Sequence, residues 1–520
     1  MSTPKKKFSE RGSSMSPTTS DSSVENQTTP PTGTGARTRG GPRGRLPLGF
    51  LVSAGISLAC AIGLFTSVSD VASGLWAIAL MVSLMFMGMP IPVALGLASV
   101  LGIYYVSGTL ALTNVLSTSA FTASSSWSMT VLPLFIFMGL LLTQAGLTQR
   151  LYRATDLWFG WLPAGIGIGT TAAGAGLASV SGSTIGMTYA LGRAGIPEML
   201  RAGYDRRVAV GTIIIAGLPG QLIPPSILLV VYAGIASVPV GPQLIAGVVP
   251  GLAIAFAYAL MFLFIGIFLP TLVGRGRNAQ AHEDRTVTWG ERFDALAKIW
   301  GFPLIMLVLF GGMFTGVFTP SEAGAAAAGM SLVLAVFYTW RDKPLAQVTA
   351  AAVNTVKASA AVFFILIGAE MLTRMLAVTG LAEAVTGFIT GLGLSRFAFL
   401  CVLIVLYIFM GMFFDTMAMM LLTIPILLPT FSAFDVDLMW FGIFIVLLGE
   451  IGMITPPVGV LSYVVYNLCK RKEINTGVRI SLGDVFTSLL WFLPLSIAFL
   501  LLLIAWPDLA LWLPSISQAQ

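Results

Sequence analysis

The sequence predicts an all-α polytopic membrane protein made of two inverted repeats, each with a re-entrant hairpin and a broken helix. Three observations predict it. Of 520 residues, 56% are hydrophobic and 10% charged, with mean hydropathy +0.90, whereas soluble domains carry about 25% charged residues. Second, one interrupted motif occurs twice at one spacing. Ser181-Gly-Ser-Thr184 precedes Gly220-Gln-Leu-Ile-Pro-Pro-Ser226, and Phe413-Phe-Asp-Thr416 precedes Gly452-Met-Ile-Thr-Pro-Pro-Val-Gly459. Ser183 stands 42 residues before Pro225, and Asp415 stands 42 before Pro457. Third, Lys and Arg cluster in gaps that fall on one side of a single path through the bilayer.

Each element follows from that path. Residues 1–45 are rich in Ser, Thr, Pro, Gly and basic residues without apolar periodicity, and read as a disordered cytoplasmic tail. Residues 46–70 hold an additional transmembrane helix, which crosses outward. The first repeat, 71–270, returns at 75–88, leads out through 92–106 to a charge-free loop at 108–129, and comes back at 131–145 to Arg150 and Arg153. The stretch 157–198 is flanked by basic residues at both ends, so it is a hairpin that returns to the side it left, with its turn at 181–184. Residues 208–238 cross outward with a break at 217–225, and 244–269 return to a cytoplasmic loop, 271–298, that contains His282.

The second repeat, 299–508, runs the same series from the opposite side. Residues 300–318 go out, 323–340 come in, and 358–376 go out. A second hairpin, 397–431, opens from the outside. The broken helix 438–469 leads inward to Lys470-Arg471-Lys472, and 489–506 exits to a short tail, 509–520. Of the 28 Lys and Arg, this path leaves only Arg374 and Arg396 outside. Earlier landmarks recur too: Pro92 pairs with Pro320, and Gly139 with Gly368.

The chemistry of the breaks points to ion and substrate binding. A cation crossing lipid exchanges its water for fixed oxygens, and helix carbonyls are free only where the helix unwinds around a cavity. Gly182, Gly217, Gly220, Gly411, Gly452 and Gly459 permit such backbone; Pro224, Pro225, Pro456 and Pro457 enforce it by removing donors. Ser181, Ser183, Thr184, Ser226, Thr416 and Thr455 add hydroxyls, and Asp415 adds a carboxylate. Free N–H groups where the helices restart suit a carboxylate substrate. Packing alone demands no such paired spacing.

The remaining intramembrane charges divide. Glu370 and Arg374, four apart, read as a structural pair. Glu322 reads as helix capping. For Glu450 the site and the bonding of freed backbone N–H groups are equally good readings. Cys60, Cys401 and Cys469 lack metal-ligand spacing, so neither a transition metal nor an organic cofactor is expected. The basic residues follow membrane topology and mark no nucleic-acid surface.

The residues around both breaks resemble the large membrane subunit, DctM type, of tripartite ATP-independent periplasmic (TRAP) transporters. Ser181-Gly-Ser-Thr184, Ala202-Gly-Tyr-Asp-Arg-Arg207, Leu222-Ile-Pro-Pro-Ser226, Thr423-Ile-Pro-Ile-Leu-Leu-Pro429 and Glu450-Ile-Gly-Met-Ile-Thr-Pro-Pro-Val-Gly459 carry the resemblance. Weaker matches are Phe86-Met-Gly-Met-Pro-Ile-Pro-Val93 and Thr319-Pro-Ser-Glu-Ala323. The resemblance implies an ion-transporter-superfamily fold and sodium-driven import of an organic acid across the bacterial inner membrane. It implies an elevator motion of the domain carrying both hairpins, a small four-helix membrane subunit (DctQ type) and a periplasmic substrate-binding protein (DctP type). It also implies two sodium sites, one at 181–184 with 217–226 and one at 411–416 with 452–457. Ser183, Thr184, Pro225, Ser226, Asp415 and Pro457 would meet the substrate. Where the family commonly has Ser-Pro-Ala-Thr after the first turn, this chain has Thr184-Ile-Gly-Met187, without a hydroxyl at Met187.

Other classes fit less well. Intramembrane proteases need a membrane-embedded His, two intramembrane Asp, or His-Glu-x-x-His; the chain has one His, in a polar loop, and no such motif. No filter or charged ring suggests a channel. A stand-alone sodium- or proton-coupled carboxylate carrier is the serious alternative.

Overall fold

Most of the described residues lie in helices, which pair backbone groups within their own segment as lipid requires. The computed structural model describes residues 48–274, 287–341 and 343–518, which contain helices and no strand. His282, the tail 1–45 and much of the 271–298 loop lie outside them. From Gly49 onward the described residues form one compact unit. Among them, six helices are long and apolar enough to cross a bilayer, or up to nine if each bent pair counts as one span.

Two helix pairs interlock across the repeats. Ile91–Ser124, from the first repeat, packs along Pro344–Thr379, from the second; Val131–Gln144 packs along Pro320–Tyr338 in return. Small residues allow the close approach. A Cβ at Gly102 would strike Met375, and one at Gly368 would strike Leu95 and the Pro92 carbonyl. Around this frame one apolar cluster joins Leu48–Phe65, Asp70–Phe86 and Ile91–Ser124 to Ala369–Leu376, while a larger one joins the hairpins and broken helices. The Glu370–Arg374 pair closes at 2.9 Å. Glu322 completes a capping box with Thr319 at the start of Pro320–Tyr338.

Several boundaries differ from the sequence expectation. The charge-free loop at 108–129 is mostly helix: Ile91–Ser124 continues through a kink at Gly108 (φ 74°, ψ −171°). Several of its hydroxyls are satisfied locally, Thr113 donating to the Thr109 carbonyl and Thr118 to that of Asn114, both at 2.8 Å. Polar residues without charge therefore did not signal a loop. The first hairpin starts at Gly165, not at 157, because Leu147–Phe159 is a separate helix bent 69° from the preceding one. It buries Leu147, Leu151, Ala154 and Leu157 along one stripe.

The helix expected at 358–376 begins at Pro344, and Leu381–Gly391 forms a further helix where a connection was expected. The loop 271–298 ends in a capped helix, Trp289–Ala297. The tail 509–520 is largely the helix Asp508–Gln518, which packs on Val240–Phe268 and buries Ala510.

Candidate functional site

Each hairpin turns where its sequence forbids continuation. The arms Gly165–Ser181 and Thr184–Arg201 are joined through Gly182, whose φ of +60° is the left-handed region that suits glycine. Ser183 then caps the second arm, accepting from the Gly186 N–H at 3.2 Å. In the second repeat, Arg396–Gly411 and Thr416–Ala433 are joined by 412–415, with Asp415 at the N-cap. Ser183 and Asp415 thus hold equivalent N-cap positions 232 residues apart, and of the two only the Ser183 side chain makes a cap hydrogen bond.

The broken helices follow the same plan. Arg206–Ile215 and Leu218–Leu222 give way at 223–226 to Ile227–Ala236, with a bend of 48°. Leu438–Ile454 gives way at 455–459 to Val460–Cys469. The Pro224–Pro225 and Pro456–Pro457 peptides are both cis.

Glycines bring each break onto its own hairpin, in matching positions. A Cβ on Gly217 would strike Thr184 and Met187, and one on its counterpart Gly449 would strike Thr416. Gly220 lies against the Ala175 carbonyl and Ser179; its counterpart Gly452 lies against the Tyr407 carbonyl and Gly411. Gly182 abuts Ile227, tying the first tip to the start of the restarted helix. Among the sequence-selected residues, Thr184, Gly217 and Gly220 therefore meet at one place, and Gly411, Thr416 and Gly452 at another.

The remaining selected residues do not all converge. Ser181 and Ser183 face a cavity of about 250 Å³ between Val131–Gln144 and the first hairpin, lined also by Gly139, Thr143, Met187 and Ala190. Pro224, Pro225 and Ser226 are buried, and the Ser226 hydroxyl accepts from the Leu229 N–H at 3.3 Å. Thr455 donates to the Ile451 carbonyl at 2.7 Å. Asp415, Thr455 and Pro456 are half-buried, and Pro457 is exposed. Gly459, at φ +45°, is overlaid by the Ile454 and Thr455 carbonyls, of which the Ile454 oxygen accepts from the Ser462 hydroxyl at 3.0 Å.

The two places join through a residue outside the sequence-selected set. Glu450 is 2% exposed. One carboxylate oxygen accepts from the Thr184 hydroxyl at 2.7 Å and the other from the Thr416 hydroxyl at 3.1 Å. Asp415 lies near enough for its charge to act on Glu450. Among the described residues, neither forms an ion pair. The usable signal was the repeat offset, which sets Glu450 against apolar Leu218 and so marks a carboxylate present in one copy only.

The chain is similar to known proteins over most of its length. Residues 78–509 match the family model described as "Tripartite ATP-independent periplasmic transporter, DctM component". A C4-dicarboxylate TRAP transporter large permease protein from Rhodobacter capsulatus is 30% identical over 453 residues, 84% of this chain and 98% of that protein. An ectoine TRAP transporter large permease protein from Halomonas elongata is 28% identical over 448 residues, 85% of this chain and 98% of that protein. Among solved structures, the Alcanivorax borkumensis YdaH transporter superposes with TM-score 0.56 at 14% identity, covering 86% of this chain and 98% of that one, a likeness of fold alone. The similar proteins are transporter permease subunits and not enzymes. This multi-pass membrane chain belongs to the DctM family, the large permease subunits of tripartite ATP-independent periplasmic transporters.

Proposed function

We propose that this chain is the subunit through which an organic acid, a carboxylate, is imported across the bacterial inner membrane by a sodium-coupled elevator mechanism. The observation that carries the reading is the matched pair of breaks, each pressed by glycines onto its own hairpin tip. Unwound backbone of this kind within apolar spans supplies oxygens for a desolvated cation. One sodium ion would sit among Ser181, Gly182, Ser183, Thr184, Gly217, Gly220 and Pro224, and another among Gly411, Asp415, Thr416, Gly452, Thr455 and Pro456. The acid would meet Ser183, Thr184 and Asp415 at the tips, and the stretches at Pro225, Ser226 and Pro457.

Such a subunit works with a small four-helix membrane protein and a periplasmic binding protein that delivers the acid; its N-terminus lies in the cytoplasm. The names of similar proteins point to C4-dicarboxylates, ectoine and sialic acid as classes to try first. The two hairpins and two broken helices form the moving body, and the interlocked helices of the repeats form the frame it slides against.

The test is uptake into proteoliposomes holding this chain and its small partner, with the binding protein outside and a panel of labelled acids. Uptake should require both the binding protein and an inward sodium gradient. Equal uptake with choline in place of sodium would overturn the coupling, and robust uptake by this chain alone would favour a stand-alone carrier.

A further inference from the structure

The two hairpin tips stand in different repeats, yet their first helical residues touch the same side chain. Thr184 opens the helix Thr184–Arg201, Thr416 opens Thr416–Ala433, and they are equivalent positions. From these contacts we infer that Glu450 is a positioning residue that braces the tips to one another, so that ion binding at one tip is transmitted to the other. Its two oxygens are divided between them, Oε2 to Thr184 and Oε1 to Thr416.

Packing does not call for a carboxylate at this position. The counterpart of Glu450 is Leu218, which is 1% exposed in an otherwise matching setting. A buried carboxyl is costly without strong partners, and among the described residues this one has no basic partner. Its side-chain partners are the two hydroxyls, each of which donates to the carboxylate and keeps lone pairs for a cation. A hydroxyl drawn toward an ion at one tip pulls on Glu450, which holds the hydroxyl of the other tip. One polar residue thus links groups 266 residues apart on one side and 34 on the other.

The inference rests on the proposed function only in naming sodium as the ion, and one readout is independent of it. In hydrogen–deuterium exchange of the purified full chain without sodium, Glu450→Leu should speed exchange at both 183–187 and 415–419, on the order of tenfold at each, as expected when a bond to a charged group is lost. Glu450→Gln still offers one acceptor and one donor and should recover most of the protection. In the proteoliposomes described above, Glu450→Leu should lower the Hill slope of sodium-dependent uptake toward 1, with Glu450→Gln closer to the parent.

Exchange that rises at one tip only, or Glu450→Gln as impaired as Glu450→Leu, would overturn the brace. Should Glu450→Leu fail to fold, Thr184→Val and Thr416→Val decide: each should loosen the opposite tip as well as its own, and a purely local effect of both would end the idea. Tips coupled in exchange while uptake ignores sodium would refute the sodium reading and leave the brace standing.

Discussion

The two helix breaks share a motif but not a setting. At the first, Pro224, Pro225 and Ser226 are all buried, and the helix Val240–Phe268 packs on the two helices that flank them, Leu218–Leu222 and Ile227–Ala236. Its Gly247 and Gly251 make this possible: a Cβ on Gly247 would stand on the Leu222 carbonyl oxygen, and one on Gly251 would strike Ile223. At the second, Pro457 is exposed and Val458 is half-buried. A duplicated device therefore serves as a sealed element in one half and an accessible one in the other.

The strongest way to break this comparison is to lift the cover. Gly247→Leu should cost about 3 kcal/mol of stability, since the added atoms meet backbone that has nowhere to move. Thermal unfolding of the purified protein in detergent measures it, and an unchanged midpoint would mean that the first break is not tightly sealed.

A second test reads exposure directly. In a background lacking Cys60, Cys401 and Cys469, Val458→Cys and Ser226→Cys place a thiol at equivalent points of the two breaks. The first should react with a hydrophilic maleimide faster than the second by on the order of a hundredfold, because the buried site reacts only after local opening. Equal rates would erase the distinction.

The third separates charge from capping at the hairpin tips. Asp415 and Ser183 hold the same N-cap position, but only Asp415 carries charge. Asparagine caps a helix about as well as aspartate, so Asp415→Asn should leave the unfolding midpoint in place. Sodium-dependent uptake should fall by roughly tenfold, since a charge-assisted ligand becomes a neutral one. An unchanged midpoint together with unchanged sodium dependence would leave Asp415 a position at the helix start with no part in ion binding.

These contrasts also mark what the sequence made legible. The fold class could be read from mean hydropathy and from the placing of Lys and Arg, which report the solvent of each segment. The turns at Gly182 and Asp415 and the breaks at the Pro–Pro pairs were visible because glycine, proline and capping residues act locally, on their own backbone. What the sequence concealed is long-range. Nothing near Glu450 in the chain announces that its partners are Thr184 and Thr416. Gly247 and Gly251 look like any small residues in an apolar helix, and only the structure shows that they admit a neighbouring break. The helix through 108–124 is hidden for the opposite reason: absence of charge resembles a loop, while several of its hydroxyls bond within the helix.

The smallest predicted effect concerns how each broken helix restarts. In the first, Ser226 has extended backbone and its hydroxyl satisfies the Leu229 N–H, in a fully buried position. In the second, the equivalent residue is Val458, and the restarted helix Val460–Cys469 begins at Gly459 with no side-chain cap. Losing a serine cap costs about 1 kcal/mol, and the buried N–H left behind has no water to turn to. Ser226→Ala should therefore lower the unfolding midpoint by a small, measurable amount, while Val458→Ala, at a half-buried and uncapped start, should change it less. If the two substitutions cost the same, the first restart is not stabilised by its cap, and the sealing of that break rests on the glycine-faced helix alone.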